Sequence, residues 1–213
     1  MKRREKCGNS LLELSYKVIM NKKVALINPP YREHLSVTYP VYPLGLGYLQ
    51  ASCTDNNIVC DLFDFSQTDL SDIELIKKYQ LYEYKIIGIT SFSIDFIRTA
   101  QFIDKMKTEN NYIIVGGHHA TQTAGILLKE FSTIDYIIKG YGEKVFPRLV
   151  KIIFLNELDL LNGLSGVCFR MNGNIIENEI DYSDLDVEFA SFPSRNKIIF
   201  AFGEYYEGSI HHR

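Results

Sequence analysis

A chain of 213 residues, 46% of them apolar, can bury one sizeable core or a core with an appendage. Its formal charge of -3 and pI near 6.0 supply no basic surface for nucleic acid, and aromatic residues are not interleaved with a cationic patch. The basic start Lys2-Arg3-Arg4-Lys6 lacks the apolar run of a secretory signal, because Leu11-Leu12 passes directly into Glu13 and Lys17. The cysteines Cys7, Cys53, Cys60 and Cys168 are too scattered for a zinc or iron–sulfur motif. A cytoplasmic protein with buried or half-buried thiols is expected.

Residues 1–22 read as an extension in which Leu11, Leu12, Leu14 and Val18 line one side of a short helix. Lys23-Val24-Ala25-Leu26-Ile27 is an apolar run stopped by Asn28-Pro29-Pro30, the pattern of a central strand buried on both faces. Residues 31–43 make a polar and aromatic loop, longer than the usual strand-to-helix link of about two to six residues, which points to a functional loop. A helix follows from Leu44-Gly45-Leu46-Gly47-Tyr48-Leu49.

Ile58-Val59-Cys60-Asp61-Leu62-Phe63 is a second strand with residues 64–70 as its exit loop. Ser71 and Glu74 then have the spacing of a capping box ahead of a helix. Lys85-Ile86-Ile87-Gly88-Ile89 is a third strand that breaks into Thr90-Ser91-Phe92-Ser93, and Ile97, Ala100, Ile103 and Met106 follow at a helical period. The fourth strand, Tyr112-Ile113-Ile114-Val115, ends abruptly at Gly116-Gly117-His118-His119-Ala120-Thr121, and Ala124, Leu127, Leu128 and Phe131 mark another helix. The fifth, Ile134-Asp135-Tyr136-Ile137-Ile138, is closed by Gly140-Tyr141-Gly142-Glu143. Beyond residue 155, Gly166-Val167-Cys168-Phe169-Arg170 and Ile175-Ile176 flank Asn172-Gly173, the signature of a type I′ hairpin. Residues 181–213 read as a linker.

Short apolar strands alternating with helices specify an α/β, flavodoxin-like doubly wound fold with a five-stranded parallel sheet, an appended β-hairpin and a C-terminal linker. The divisions are 1–22 as extension, 23–155 as α/β domain and 156–213 as hairpin and linker. In such a fold the ligand lies outside the carboxyl ends of the strands at the switch point, where the loops after Asn28, Thr90, Gly116 and Gly140 emerge. Paired glycines at a strand end let the backbone take positive φ and let a bulky group approach.

Taken together, Asn28-Pro29-Pro30-Tyr31, Tyr42-Pro43-Leu44-Gly45-Leu46-Gly47-Tyr48-Leu49, Gly116-Gly117-His118-His119-Ala120-Thr121 and Gly140-Tyr141-Gly142-Glu143 resemble the N-terminal cobalamin-binding domain of B12-dependent radical SAM enzymes. The resemblance covers roughly residues 22–200, including Phe192-Pro193-Ser194-Arg195, which looks like the bridge to that family's catalytic barrel. It implies a corrinoid across the carboxyl edge, base-off, with its nucleotide tail inserted between strands. Gly116, Gly117 and Thr121 would flank the tail, while Thr90, Ser91 and the Phe92 turn would contact it. Gly140, Tyr141, Gly142 and Glu143 would line the far wall, and residues 31–43, ending at Tyr42-Pro43, would close over the ring.

The loop after the first strand lacks the D-x-H-x-x-G pattern of cobalamin mutases, so no protein histidine is expected beneath cobalt. His118 and His119 read as wall residues, and no metal is expected to be held by the protein itself. The family's C-x-x-x-C-x-x-C barrel is absent, so the resemblance implies a cobalamin or methylcobalamin carrier without its own 4Fe-4S or SAM site. Such a chain would bind and orient, with no catalytic residues, as a stand-alone carrier, as half of a split enzyme working with a separate radical SAM protein in methyl transfer or radical rearrangement, or as a truncated remnant. A ligand-free flavodoxin-like regulatory or interaction module and a nucleotide-binding module stay open, although no G-x-G-x-x-G follows the first strand. Lys139 fits a phosphoacceptor receiver domain, but the position that needs an aspartate is Thr90. Gly117→Val is expected to fill the slot and spare the fold.

Overall fold

The computed structural model describes residues 22–31, 42–182, 192–193 and 198–200. The helix expected on Leu11, Leu12, Leu14 and Val18, residues 32–41 of the long loop, Cys7 and the Ser194-Arg195 bridge lie outside them.

The parallel core follows the expected order. Strands β1 (Val24–Asn28), β2 (Cys60–Asp64), β3 (Ile86–Thr90), β4 (Tyr112–Gly116) and β5 (Tyr136–Ile138) are arranged β5-β4-β3-β1-β2, all parallel. They read as near-continuous apolar runs because both faces are covered. Helices α1 (Leu44–Asp55) and α5 (Val145–Leu155) cover one face. There Leu26 and Ile114 share a core with Leu46, Cys53, Phe146 and Leu149. Helices α2 (Asp72–Lys78), α3 (Phe96–Met106) and α4 (His118–Glu130) cover the other, where Ile27, Ile89 and Val115 meet Leu75, Phe102 and Leu127.

The sheet is wider than the expected five strands. The hairpin β6 (Val167–Met171) and β7 (Asn174–Glu177) extends it antiparallel from β5, and a short β8 (Ile198–Phe200) adds in parallel to β2. Seven strands from Val24 to Glu177 and this eighth thus form one sheet, and each addition pairs an edge that the five-stranded core would leave open. The hairpin turns through Asn172 (φ 51°) and Gly173 (φ 78°), the positive φ pair of a type I′ turn. The capping box forms as the spacing predicts: the Glu74 amide donates to Ser71 Oγ, and the Ser71 amide donates to Glu74 Oε2 at 2.8 Å.

Helix α5 is the element that sequence reasoning misses. Its polar edge is narrow, Arg148 and Lys151, and Pro147 stands in its first turn, so the segment is easily passed over as a helix. Helix α4 also starts earlier than its Ala124-to-Phe131 stripe predicts. The two histidines therefore sit in its first turn rather than on a free loop. A kink at Thr123 accompanies the Thr123 hydroxyl, which donates back to the His119 carbonyl at 2.7 Å.

Candidate functional site

Register brings the predicted residues to one place. Thr90 pairs with Gly116, and Asn28 pairs with Asp64, each at the last position of its strand. Alternation along a strand puts Asn28, Thr90 and Gly116 on the face of Leu26, Gly88 and Ile114, the face beneath α1 and α5. This row crosses the switch point, where β1 leads to β2 on one side and to β3 on the other. Pro29 and Pro30 are buried just beyond Asn28.

The walls are the first turn of α1 and the Gly140-to-Glu143 loop. They are tied together: the Ser52 hydroxyl donates to the Glu143 carbonyl, and a Cβ placed on Gly142 would lie 3.0 Å from Leu49 Cδ2. Tyr42 and Pro43 lead into α1. A Cβ on Gly47 would collide with the Tyr42 phenol and come within 2.8 Å of Pro193 Cβ, so this glycine serves packing. By contrast, no described residue lies within 4 Å of a Cβ built on Gly45, and one on Gly116 meets, among the described residues, only the Ile138 carbonyl at 3.8 Å. Among the described residues, those two positions border open space at the strand ends.

Gly117 behaves differently from its neighbour. It caps α4 with φ 96° and ψ -179°, and a Cβ there would stand 2.8 Å from the Ser91 carbonyl oxygen and 3.0 Å from Thr90 Oγ1. A valine at this position would break the β4-to-α4 turn where it packs on Thr90 and Ser91, so the expectation that it fills a slot while sparing the fold is corrected. The fully buried Ser91 holds the same turn, its amide and hydroxyl each donating to the Gly116 carbonyl at 2.9 Å. Thr121 joins the next loop, its hydroxyl donating to the Gly117 carbonyl and accepting from the Gly140 amide, both at 3.0 Å.

Of the two histidines, His118 is exposed. His119 lies 3.1 Å from Ser93 Oγ through Nδ1 and stacks at 4.5 Å on Phe96; burial holds its pKa below the usual histidine value. Lys139 faces the hairpin, 3.7 Å from Glu177. Among the described residues, no three His, Cys, Asp or Glu side chains gather to hold a metal ion, and no helix is long and apolar enough to cross a membrane.

Two features of the edge bear on what it could hold. Among the described residues, buried Glu143 Oε2 has no hydrogen-bond partner. Leu44 at the start of α1, Phe92 and Ile94 after β3, and Tyr141 after β5 are apolar side chains all more than 40% exposed. A flat, amide-fringed macrocycle fits open glycine positions, an unpaired acceptor and exposed apolar side chains. Sequence reasoning does not find Asp64, whose place beside Asn28 appears only in the register.

A profile for the B12 binding domain matches residues 34–150. An uncharacterized methyltransferase of Pyrococcus horikoshii is 30% identical over 160 residues, which is 72% of this chain and 34% of that protein. The anaerobic magnesium-protoporphyrin IX monomethyl ester cyclases of Rubrivivax gelatinosus and Synechocystis are 28% and 26% identical, over 56% and 73% of this chain and 22% and 32% of their own lengths. Among solved structures, the cobalamin-dependent S-adenosylmethionine radical enzyme OxsB superposes with a TM-score of 0.53 at 18% identity, covering 76% of this chain and 23% of that one. That likeness shows the fold. The chain spans about a third or less of the length of these curated relatives.

Proposed function

The chain belongs to the B12 binding domain family, and from that premise we propose that it binds cobalamin at the carboxyl edge of its sheet and presents it to a radical SAM-type reaction. The observation that carries this reading is the row Asn28, Thr90 and Gly116 at neighbouring strand ends, on the face beneath α1 and α5. Bound cobalamin supplies a cobalt centre that can carry a methyl group.

In this reading the nucleotide tail enters beside Gly116 and Gly45, where a side chain would otherwise stand. The Glu143 carboxylate and the strand-end polar groups meet the tail and the ring amides, and Leu44, Phe92, Ile94 and Tyr141 shield the ring from water. The binding is base-off without a protein histidine on cobalt. Of the histidines among the described residues, His118 is exposed and His119 is engaged with Phe96 and Ser93. The α/β unit of residues 23–155 does the binding. The iron–sulfur and SAM chemistry would be supplied by a radical SAM unit working with this domain, with methylcobalamin as the form that transfers a methyl group. The free thiols Cys53, Cys60 and Cys168 suit a reducing cytoplasm.

The test is retention of hydroxocobalamin. Purified protein incubated with the corrinoid and then desalted is expected to keep about one equivalent, with the visible spectrum of the base-off form. Loss of all colour at micromolar protein overturns the reading in favour of a ligand-free module.

A further inference from the structure

Asp64 ends β2 in register with Asn28 at the end of β1, and no motif in the sequence marks it. Its side chain is buried, and Oδ1 accepts from Asn28 Nδ2 at 2.9 Å and from the Ser66 amide at 3.0 Å. Asp64 Oδ1 accepts from the Asn28 nitrogen, so the nitrogen is the amide atom that faces β2. The planar amide therefore turns its oxygen away from the Asp64 carboxylate. Tyr31, which follows the two buried prolines, hydrogen-bonds Asn28 with its own side chain and restrains the group further. Asn28 is itself only 4% exposed, so its amide has one orientation in which the buried donor is satisfied.

We propose that Asp64 is a positioning residue for corrinoid binding: it locks the Asn28 amide so that the Asn28 oxygen is a fixed acceptor at the switch point for an amide donor of the ligand. The inference rests on the corrinoid reading above. An acceptor already oriented before binding spares the ligand the cost of ordering it. If instead Asp64 only fastens β2 to β1, its loss lowers stability and leaves affinity alone.

The experiment measures the Kd for hydroxocobalamin and the Tm of the full chain for wild type, Asp64→Asn, Asp64→Glu, Asn28→Ala and the two double variants. Asp64→Asn is expected to raise Kd about tenfold, because an amide at 64 accepts either orientation of Asn28. Asn28→Ala should cost a similar factor, and Asp64→Glu, which keeps an acceptor-only group, should recover part of the loss. Once Asn28 is alanine, changing Asp64 should have no further effect on Kd. A wild-type Kd in Asp64→Asn with a lowered Tm, or effects that simply multiply in the double variants, overturns the positioning role. Should Asp64→Asn fail to fold, Asp64→Glu with Asn28→Ala completes the same cycle and decides it. A wild type that retains no corrinoid is a different result, visible without any variant, and it removes the corrinoid reading and this inference together.

Discussion

At the scale of single residues, the two adjacent glycines at the end of β4 are the sharpest case. Their spacing marks a close approach, but the sequence does not say which of them borders the ligand and which shapes the chain. Backbone torsion decides it: Gly117 at φ 96° is required by the turn, whereas Gly116 has no such demand and, among the described residues, faces open space. Gly116→Leu is therefore expected to abolish hydroxocobalamin retention with Tm within a few degrees of wild type, read by desalting and thermal melts. Gly117→Val should lower Tm by several degrees, since a β-branched residue there meets the Ser91 backbone at 2.8 Å. If Gly116→Leu still holds the corrinoid, the tail does not enter beside β4. Residue types also hid Asp64: as the last residue of an apolar strand it reads as the start of an exit loop, and only pairing across strands shows it against Asn28.

At the scale of elements, legibility tracked periodicity. Helix α3 shows its buried stripe of Ala100, Ile103 and Met106, while α5 hides because its polar face is only Arg148 and Lys151 beside a wide buried side of Val150, Ile152, Ile153 and Phe154. The packing of α2 on α3 was likewise invisible, because it depends on charges distant in sequence. Asp72 in the first turn of α2 meets Arg98 and Lys105 of α3, with Lys105 Nζ at 2.7 Å. Burial alone raises the Asp72 pKa, but the hydrogen bonds and charges of Arg98 and Lys105 outweigh it and hold the carboxyl below its usual 3.8. A carboxyl with a depressed folded pKa contributes stability that is fully present above its unfolded value and is lost as pH falls through the folded one. The wild type should thus lose stability progressively below about pH 4. Asp72→Asn should cost about 1–3 kcal/mol at pH 7 and flatten that part of the acid limb, in denaturant melts collected from pH 2 to 7. An unchanged acid limb in the variant would remove Asp72 from the account.

At the scale of the whole molecule, the proposed corrinoid edge and the hairpin turn lie at opposite ends of one sheet. The alternation of apolar runs and helices made the parallel core legible, because each run is buried on both faces and has little choice of partner layer. The added strands were less legible: the Asn172-Gly173 turn announces a hairpin but not the edge it joins, which is settled by the open side of β5. Because β6 runs antiparallel to β5, that turn lies at the amino end of the sheet, opposite Asn28, Thr90 and Gly116. A change there tests whether the carboxyl edge is the binding edge. Gly173 has φ 78° with no described residue within 4 Å of a built Cβ, so Gly173→Ala adds backbone strain and no clash among the described residues. It should cost about 1–2 kcal/mol of stability and leave the hydroxocobalamin Kd unchanged. With Gly116→Leu, which should do the reverse, it forms a pair of variants at opposite ends of one sheet. A shift of Kd in Gly173→Ala comparable to that in Gly116→Leu would mean that affinity follows global stability, and the carboxyl edge would lose its claim as the binding edge.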